Sequence, residues 1–383
     1  MPKQIVFCAD GTWNGPPDAA STNDIDGTTQ KDAELHDDVT NVFKLFASLR
    51  GEVTRETQAL SNETEMVLAG DGGTMQVAKY LHGVGDSSNP IMKVLGGVFG
   101  AGVVARIVRG YTFISRSYSP GDAIHLVGFS RGAYTARALS GMISAVGLLN
   151  PEKYDPTNKS EAYLRGFAAW LKCKGIVFKG DKKLSSLLTA IVDFAGGAIA
   201  KVALRKGDLV PKVPIKSVGV WDTVGSLGVP NYVSGQRKDF FSFVDTHLSR
   251  AVERGFHAMA LDEQRRDFPV TRWDKDKRVE QVWFIGAHSD VGGGYPPAES
   301  SLSDIALDWM TQKLAGVGVL FVTPQQPLDL TRFDQPFHTP WTKPPFDIGA
   351  RPRSPKAGDT LHPSVVKRME ADAAYRKTWL KRF

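Results

Sequence analysis

The chain has 383 residues, of which 42% are hydrophobic and 23% charged. This size and balance exclude a small disulfide-stabilised peptide and a globally disordered chain, and they allow a full hydrophobic core. The net charge of +6 comes without a dense basic run, so no nucleic-acid partner is expected, whereas transient contact with an anionic membrane surface is compatible with it.

The cysteines and the N-terminus bear on the compartment. Cys8 lies in the apolar run Ile5–Ala9, which predicts a small buried side chain, and with Cys173 it gives too few thiols for a disulfide framework. The first residues lead into that run without a secretory leader, and no apolar stretch is long enough to span a membrane. We expect a protein made in the cytoplasm that stays there or is exported by a leaderless route.

Apolar runs and helical spacing alternate along the chain. Runs bounded by glycine, proline or polar loops predict strands at 4–10, 66–70, 123–127, 215–221 and 279–287. Helical spacing predicts helices near 39–49, 91–118, 133–149, 247–268, 301–317 (capped by Ser301 or Ser303) and 363–380. The alternation predicts one α/β domain over residues 1–383, with a mainly parallel central sheet and helices on both faces.

Two segments differ from this alternation. Residues 150–214 lack a clear strand and contain the apolar run 184–204, which predicts a helical insertion or lid within the domain. A buried helical hairpin would give the same pattern. From Thr323 onward prolines are frequent and periodicity is weak, so 323–383 is predicted to be a proline-rich C-terminal extension.

The strongest local signal is the pentapeptide Gly128–Gly132. An apolar strand precedes it and a helical pattern follows, which is the context of a nucleophile elbow with Ser130 at its tip. The glycines let strand and helix approach closely, and the tight turn lifts the hydroxyl clear of the sheet. In an ordinary strand-to-helix turn, Ser130 would only cap the helix. The context favours the elbow, and with it an α/β-hydrolase-like fold.

Four polar residues follow predicted strands, namely Asp10, Ser130, Asp222 and His288. The carboxyl ends of parallel strands share one edge of a sheet, where chemistry occurs in open α/β folds. Because a serine hydroxyl is a weak nucleophile, it needs a base, and His288 is predicted to be that base. His257 is the rival, but its place on the polar face of a predicted helix favours a surface role.

Asp222 is predicted to orient the imidazole of the base. The order along the chain is then Ser130, Asp222, His288, which is the order of α/β-hydrolases. Asp290 and Asp245 are alternatives, and Asp222 could instead be a turn residue that bonds its own backbone. In this assignment the serine attacks a carbonyl, the histidine takes its proton, and the aspartate orients the histidine.

An oxyanion hole needs two preorganised N–H donors. One is predicted to be the backbone N–H of Arg131, the residue after the nucleophile. The second is predicted to come from the loop after the first strand, at Gly11 or Thr12. The glycine loop at Gly72–Gly73 could serve equally well.

Five motifs in chain order resemble one family. They are DGTWN at 10–14, GFSRGAYTAR at 128–137, VWDTVG at 220–225, HAMALDE at 257–263 and GAHSDVGGGY at 286–295. Over residues 4 to about 310 the chain is similar to an uncharacterised α/β-hydrolase family that includes the lipase effectors of bacterial type VI secretion.

This resemblance implies a lipase or phospholipase in which Ser130, Asp222 and His288 form a Ser-Asp-His triad acting on phospholipid esters. Many effectors of the family are longer and carry membrane-binding modules, which are not expected in this sequence. The stretch Leu68–Thr74 also differs from the Gly-rich pattern usual at that place. The expected partners are a lipid or small ester substrate and an unidentified secretion or immunity partner.

The leading prediction is a carboxylic-ester hydrolase without a cofactor, which works through an acyl-enzyme, with residues 184–204 covering the acyl chain. A metal-dependent phosphoesterase would instead need ligands from Asp10, Asp222, His288 and Asp290, but no tight ligand motif supports it. A third possibility is a non-catalytic hydrolase-like protein that binds a partner or a membrane. The serine, aspartate and histidine at strand ends favour an enzyme.

Overall fold

The computed structural model describes residues 2–11, 39–58, 63–82, 100–177, 202, 204–205, 207–224, 246–266, 268–322, 330–344, 346–347 and 349–380. These residues form a nine-stranded sheet, a two-stranded ribbon and nine α-helices. The run 184–204, predicted to cover an acyl chain, lies almost entirely outside the described residues. So do residues 91–99 of one predicted helix.

The strands, numbered in chain order, are β1 (Gln4–Ala9), β2 (Glu52–Val53), β3 (Glu63–Gly70), β4 (Gly73–Leu81), β5 (Ala123–Phe129), β6 (Leu148–Leu149), β7 (Leu209–Val210), β8 (Ile215–Trp221), β9 (Val252–Ala260), β10 (Val279–Phe284) and β11 (Thr360–Leu361). The sheet has the order β11-β10-β9-β8-β5-β1-β4-β3-β2. It is parallel from β11 to β4, and only the β4–β3 and β3–β2 pairs are antiparallel. The predicted mainly parallel sheet is confirmed.

The helices are α1 (Asn41–Ala47), α2 (Arg55–Gln58), α3 (Gly100–Ser117), α4 (Arg131–Val146), α5 (Lys159–Val177), α6 (His288–Gly292), α7 (Ser301–Ala315), α8 (Pro363–Ala371) and α9 (Ala373–Leu380). Successive residues of β1 point to opposite faces of the sheet, as a strand requires. Ile5 and Phe7 pack in the core with α3, α4 and α5, whereas Val6 and Cys8 pack in the core with α1 and α7. Helices therefore cover both faces, and the chain has the predicted α/β class.

The register of the parallel strands brings the predicted site residues to one edge. Ala9 of β1 lies opposite Gly128 of β5, which in turn lies opposite Val220 of β8. The residues that follow these positions leave the sheet at nearly the same level. The ladder continues into them, because Ser130 N donates to the carbonyl of Trp221 at 3.2 Å.

The helix predicted over 247–268 is wrong, because the segment forms strand β9. Val252 and Phe256 are four residues apart, a spacing that places two side chains on one face of a helix and also on one face of a strand. Residues 255–260 are buried on both faces of the sheet, so the polar/apolar alternation that marks a half-exposed strand is missing.

Strand β4 has no counterpart among the predicted strands, because its polar residues interrupt the apolar pattern. These residues are buried by specific partners: Gln76 Nε2 donates to two backbone carbonyls, and Lys79 pairs with Glu63 and Glu65. The predicted glycine loop is the exposed tip of the β3–β4 hairpin. Since Gln76 lies opposite Gln4 in parallel register, this tip lies at the amino end of β1, away from Asp10.

The structure changes the predicted boundaries in three further regions. Helix α7 begins after Ser300, so the predicted caps Ser301 and Ser303 lie inside it. In the segment 150–214, helix α5 packs on α3 and α4 and buries Phe167 and Trp170 in the main core. Helices α8 and α9 lie where one final helix was predicted, and β11 adds an edge strand to the sheet.

Candidate active site

Ser130 lies in a strained turn between β5 and α4. Its φ of 56° and ψ of −120° place a non-glycine residue in a region that L-residues rarely occupy. Such strain persists only where the surrounding structure enforces it, and it is common at functional sites. Ser130 makes no side-chain capping bond to α4, so the alternative role of helix cap is wrong.

The two glycines around Ser130 are required by close packing. A Cβ atom on Gly128 would lie 2.4 Å from the carbonyl carbon of Gly132, at the start of the helix. A Cβ atom on Gly132 would lie 1.9 Å from the carbonyl oxygen of Ala9, at the end of β1. Strand, helix and the β1 loop therefore meet at distances that only glycine permits.

His288 and Asp222 are directly bonded. The Nδ1 atom of His288 lies 2.6 Å from Oδ2 of Asp222, and both side chains are buried. His288 is the first residue of α6, after a short loop that leaves β10, and Asp222 directly follows β8. Asp222 also has a positive φ, of 35°. Two of the predicted site residues thus occupy strained backbone positions.

Every oxygen of the Asp222 carboxylate has partners. Oδ1 accepts the N–H of Ala260 at 2.9 Å and a guanidinium N–H of Arg353 at 2.5 Å. Oδ2 accepts a second N–H of Arg353 at 3.0 Å, beside the bond to His288. Burial alone would raise the pKa of Asp222, but the charge of Arg353 and the bond to His288 hold it well below its usual range. Asp222 is therefore ionised at neutral pH.

His288 lies beside the serine turn, among aromatic rings. Its ring centroid is 4.5 Å from that of Phe129, the residue before Ser130, and 5.0 Å from that of Phe268. Its backbone N–H donates to the buried carboxylate of Glu263 at 3.1 Å. Burial lowers the pKa of His288 below its ordinary value, although Asp222 opposes this. A neutral imidazole with a bonded Nδ1 can take a proton at Nε2.

Ser130 and His288, which both belong to the described residues, form no hydrogen bond with each other in this structure. Such bonds are often long or poorly aligned before substrate binds, and they tighten in the complex. The tilted contact between the His288 and Phe129 rings nevertheless keeps the imidazole next to the turn that carries the hydroxyl.

Two of the predicted oxyanion donors, Arg131 and Gly11, lie at the junction of β1 and α4. Arg131 is the first residue of α4, so its N–H has no acceptor within the helix. The N–H of Gly11 donates to Oδ1 of Asp10 at 2.6 Å, which occupies it in this structure. Thr12 lies outside the described residues. The alternative donors Gly72 and Gly73 are wrong, because their loop is at the opposite end of the strands.

Asp10 is held in its own buried network. Its Oδ2 accepts the hydroxyls of Tyr80 at 2.5 Å and Thr40 at 2.7 Å. Burial raises the pKa of Asp10 to about 6, against the opposing effect of these hydrogen bonds. Asp10 therefore braces the end of β1, where Arg106 also donates to its backbone carbonyl at 2.6 Å.

The rival residues have other partners. His257 lies in β9, is completely buried, and accepts the N–H of Thr223 at Nε2, so the predicted surface role is wrong. Burial lowers its pKa to about 3. Asp290 bonds Nδ1 of His338 at 2.7 Å instead of His288. Asp245 lies outside the described residues.

The four residues of the alternative metal site do not come together. Asp222 and His288 bond each other, but Asp10 and Asp290 belong to separate networks. Among the described parts of the chain, no three histidine, cysteine, aspartate or glutamate side chains are grouped to hold a metal ion. In the same parts, no helix is both long and apolar enough to cross a membrane.

Sequence reasoning missed Arg353, Asp262 and Glu263 as parts of the site. Glu263 holds the N–H of His288, and Asp262 holds the N–H of Gly286 at 2.7 Å. Both carboxylates lie in the motif 257–263, so their position was visible although their role was not. Arg353 gave no signal, because it lies 131 residues beyond its partner Asp222 in a proline-rich segment.

Comparisons with known proteins place this arrangement in context. A family model described as "T6SS, Phospholipase effector Tle1-like, catalytic domain" matches residues 3–313. The chain is also 27% identical over 271 residues to the uncharacterized protein YEL023C of Saccharomyces cerevisiae, a match that covers 70% of this chain and 32% of the yeast protein.

Two solved structures are similar at a low level. The crystal structure of an uncharacterized protein from Pseudomonas aeruginosa gives a TM-score of 0.42 at 17% identity, over 85% of this chain and 47% of that chain. The structure of the Tle1 effector bound to the VgrG spike from the type 6 secretion system gives a TM-score of 0.38 at 20% identity, over 79% and 53%. The chain spans about a third of the yeast protein and about half of each solved chain.

Proposed function

The chain belongs to the family of T6SS Tle1-like phospholipase effector catalytic domains, and from this membership we propose that it is a serine hydrolase of phospholipid acyl esters. The observation that carries the proposal is the bonded pair Asp222–His288 beside the strained Ser130. The parallel sheet with a serine elbow after β5 supports an α/β-hydrolase fold.

In the proposed reaction, Ser130 Oγ attacks the ester carbonyl while Nε2 of His288 takes the hydroxyl proton. Asp222 holds Nδ1 of the imidazole and stabilises the imidazolium that forms. The C–O bond to the alcohol then breaks, and the alcohol leaves with the proton from His288. Water, activated by the same histidine, attacks the acyl-enzyme and releases the fatty acid and free Ser130.

The tetrahedral oxyanion is proposed to bind the free N–H of Arg131 at the start of α4. The loop at Gly11 and Thr12 is proposed to supply the second donor, because β1 ends against the first turn of that helix. For Gly11 to serve, its N–H must turn away from Asp10 Oδ1. Each such donor contributes about 3 kcal/mol to the transition state in well-studied hydrolases.

The remaining parts of the proposal follow from family membership and charge. Residues 184–204 are proposed to cover the acyl chain, and the net charge of +6 favours transient contact with anionic lipid. Delivery by type VI secretion is proposed on the same basis, with a carrier in the donor cell and an immunity protein as candidate partners. No cofactor is needed for the steps described.

The proposal is tested with vesicles of a defined phospholipid and with p-nitrophenyl butyrate. The wild-type chain should release fatty acid or p-nitrophenol, and Ser130→Ala should reduce both at least about 1,000-fold while remaining folded. The control is Ser119→Ala, an exposed serine in the connection between α3 and β5, which should keep full activity. Full activity of Ser130→Ala would refute the proposed nucleophile.

A further inference from the structure

Arg353 reaches the proposed site from a part of the chain that the family model does not cover. That match ends at residue 313, whereas Arg353 lies in the segment between α7 and α8. Two nitrogens of its guanidinium donate to the Asp222 carboxylate, one to Oδ1 at 2.5 Å and the other to Oδ2 at 3.0 Å. The side chain of Arg353 is 6% exposed and that of Asp222 is fully buried.

The same guanidinium also donates to two backbone carbonyls beside the proposed site. One nitrogen also donates to the carbonyl of Ala260, at the end of β9, at 2.7 Å. The other donates to the carbonyl of Phe268 at 2.7 Å, and the Phe268 ring packs edge-on against His288. The planar fork of arginine suits such two-point binding, which the single ammonium of lysine does not reproduce.

The segment that carries Arg353 is fixed in place by backbone contacts. The N–H of Arg351 donates to the carbonyl of Gln264 at 2.7 Å, and Ala350 forms a β-bridge with Arg265. The position of the guanidinium is therefore fixed by backbone contacts of the neighbouring residues as well as by its own hydrogen bonds.

The charged groups around Asp222 and Arg353 indicate that Arg353 compensates the charge of the Asp222 carboxylate. Asp222 faces Arg353, His288 and the neutral His257, while His288 also faces the oppositely charged Arg265 and Glu263. Arg265 and Glu263 are bonded to each other, so they nearly cancel. Arg353 is thus the cation that compensates the buried Asp222 carboxylate when His288 is neutral.

We propose that Arg353 is a positioning residue of this site, which fixes the plane of the Asp222 carboxylate so that Oδ2 faces His288 Nδ1. The inference rests on the serine-hydrolase function proposed above. It means that the C-terminal segment outside the family match completes the site.

The test compares Arg353→Ala and Arg353→Lys in the full chain, with Arg351→Ala as a matched control. Arg351 is exposed, lies two residues away, and contributes only its backbone to the contacts above. The activity, kcat/KM for p-nitrophenyl butyrate, is measured from pH 5 to 9 with and without added guanidinium ion. Folding is checked by circular dichroism and thermal unfolding.

Arg353→Ala should lower kcat/KM about 100-fold at neutral pH, as a misplaced catalytic group does. Its acid limb should move to higher pH, because an uncompensated Asp222 favours a proton on itself or on His288. Guanidinium should restore part of the activity of this variant alone. Arg353→Lys should lose at least about 10-fold, and Arg351→Ala should match wild type.

The proposal is overturned if folded Arg353→Ala keeps activity within about threefold of wild type. It is also overturned if the loss comes with an unmoved acid limb and no rescue by guanidinium, because the role is then only structural. If Arg353→Ala does not fold, Arg353→Lys decides, and full activity of that variant overturns the proposal. Failure of the serine mechanism is recognised separately, by activity that survives Ser130→Ala.

Discussion

At the scale of single residues, the proposed site depends on the strained backbone of Ser130 and Asp222 and on the ion pair of Asp222 with Arg353. Ser130 and Asp222 both have positive φ. Ser130 lies between closely packed glycines, and the Asp222 carboxylate accepts the N–H of Ala260. Ser130, Asp222 and His288 were predictable because each directly follows a strand or its short loop. Arg353 was not, since long-range pairing of a lone arginine leaves no local pattern in a sequence.

The pH dependence of turnover should reflect the burial of His288. A general base must be neutral, and burial lowers the pKa of His288, so the imidazole stays neutral to a lower pH than a solvated one. The acid limb of kcat/KM should therefore have its midpoint below about 6.5, the ordinary histidine value. A substrate that does not titrate in this range is used. A midpoint above 7 would contradict the assignment.

At the scale of elements, the turn between β5 and α4 depends on glycine for space. Gly132→Ala would place a Cβ atom 1.9 Å from the carbonyl oxygen of Ala9, so β1 and α4 must separate. We expect a loss of about 1–3 kcal/mol in the free energy of unfolding, together with reduced ester turnover. Thermal and urea unfolding measure the first, and p-nitrophenyl butyrate hydrolysis the second.

Gly141→Ala is the matched control on the same helix, because a Cβ atom added at this position would meet no other atom within 4 Å. This variant should gain about 0.5–1 kcal/mol, since alanine is the better helix former. Equal stability of the two variants would show that the turn does not need glycine at 132.

The elements also show where sequence patterns stop being informative. Strands β1, β5, β8 and β10 were predictable, because each contains apolar residues and leads to a polar residue at the same edge of the sheet. Strand β9 is buried on both faces, and its four-residue spacing fits a helix and a strand equally well. The polar residues of β4 are buried because they bond to residues that are distant in the sequence, and a local pattern cannot indicate such partners.

At the scale of the whole molecule, the C-terminal helices are tied to the site through Asp262. Its carboxylate accepts the hydroxyl of Tyr375 at 2.9 Å and the indole N–H of Trp379 at 3.1 Å, and it holds the N–H of Gly286 two residues before His288. The proline-rich segment predicted as an extension therefore packs against the same core as the sheet.

Removal of the Trp379 side chain should destabilise the whole chain. The residue is 1% exposed, so Trp379→Ala should cost about 3–5 kcal/mol, as large aromatic truncations in a core do. Lys377→Ala, at an exposed position of the same helix, should change stability by less than about 0.5 kcal/mol. Urea unfolding compares them. A C-terminal helix that docks only loosely would give two similar curves.

Asp262 should also give the fold a recognisable pH dependence. Burial raises its pKa to about 6 in the folded chain, so between pH 4 and 6 the folded state holds a proton that the unfolded state has lost. Its contribution to stability is therefore present at low pH and is lost as the pH rises through this window. The free energy of unfolding of Asp262→Asn minus that of wild type should therefore rise by roughly 1–3 kcal/mol from pH 4.5 to pH 7, because only the wild type loses this contribution. A constant difference across that range would contradict the raised pKa.

The most direct test of the central claim is to locate the residue that a fluorophosphonate modifies. The wild-type chain should gain the mass of one adduct, and fragmentation of the tryptic peptide of residues 117–131 should place it on Ser130. Ser119→Ala, changed within the same peptide, should be labelled like wild type, and Ser130→Ala should not be labelled. An adduct on another residue, or ester hydrolysis without any adduct, would contradict the account.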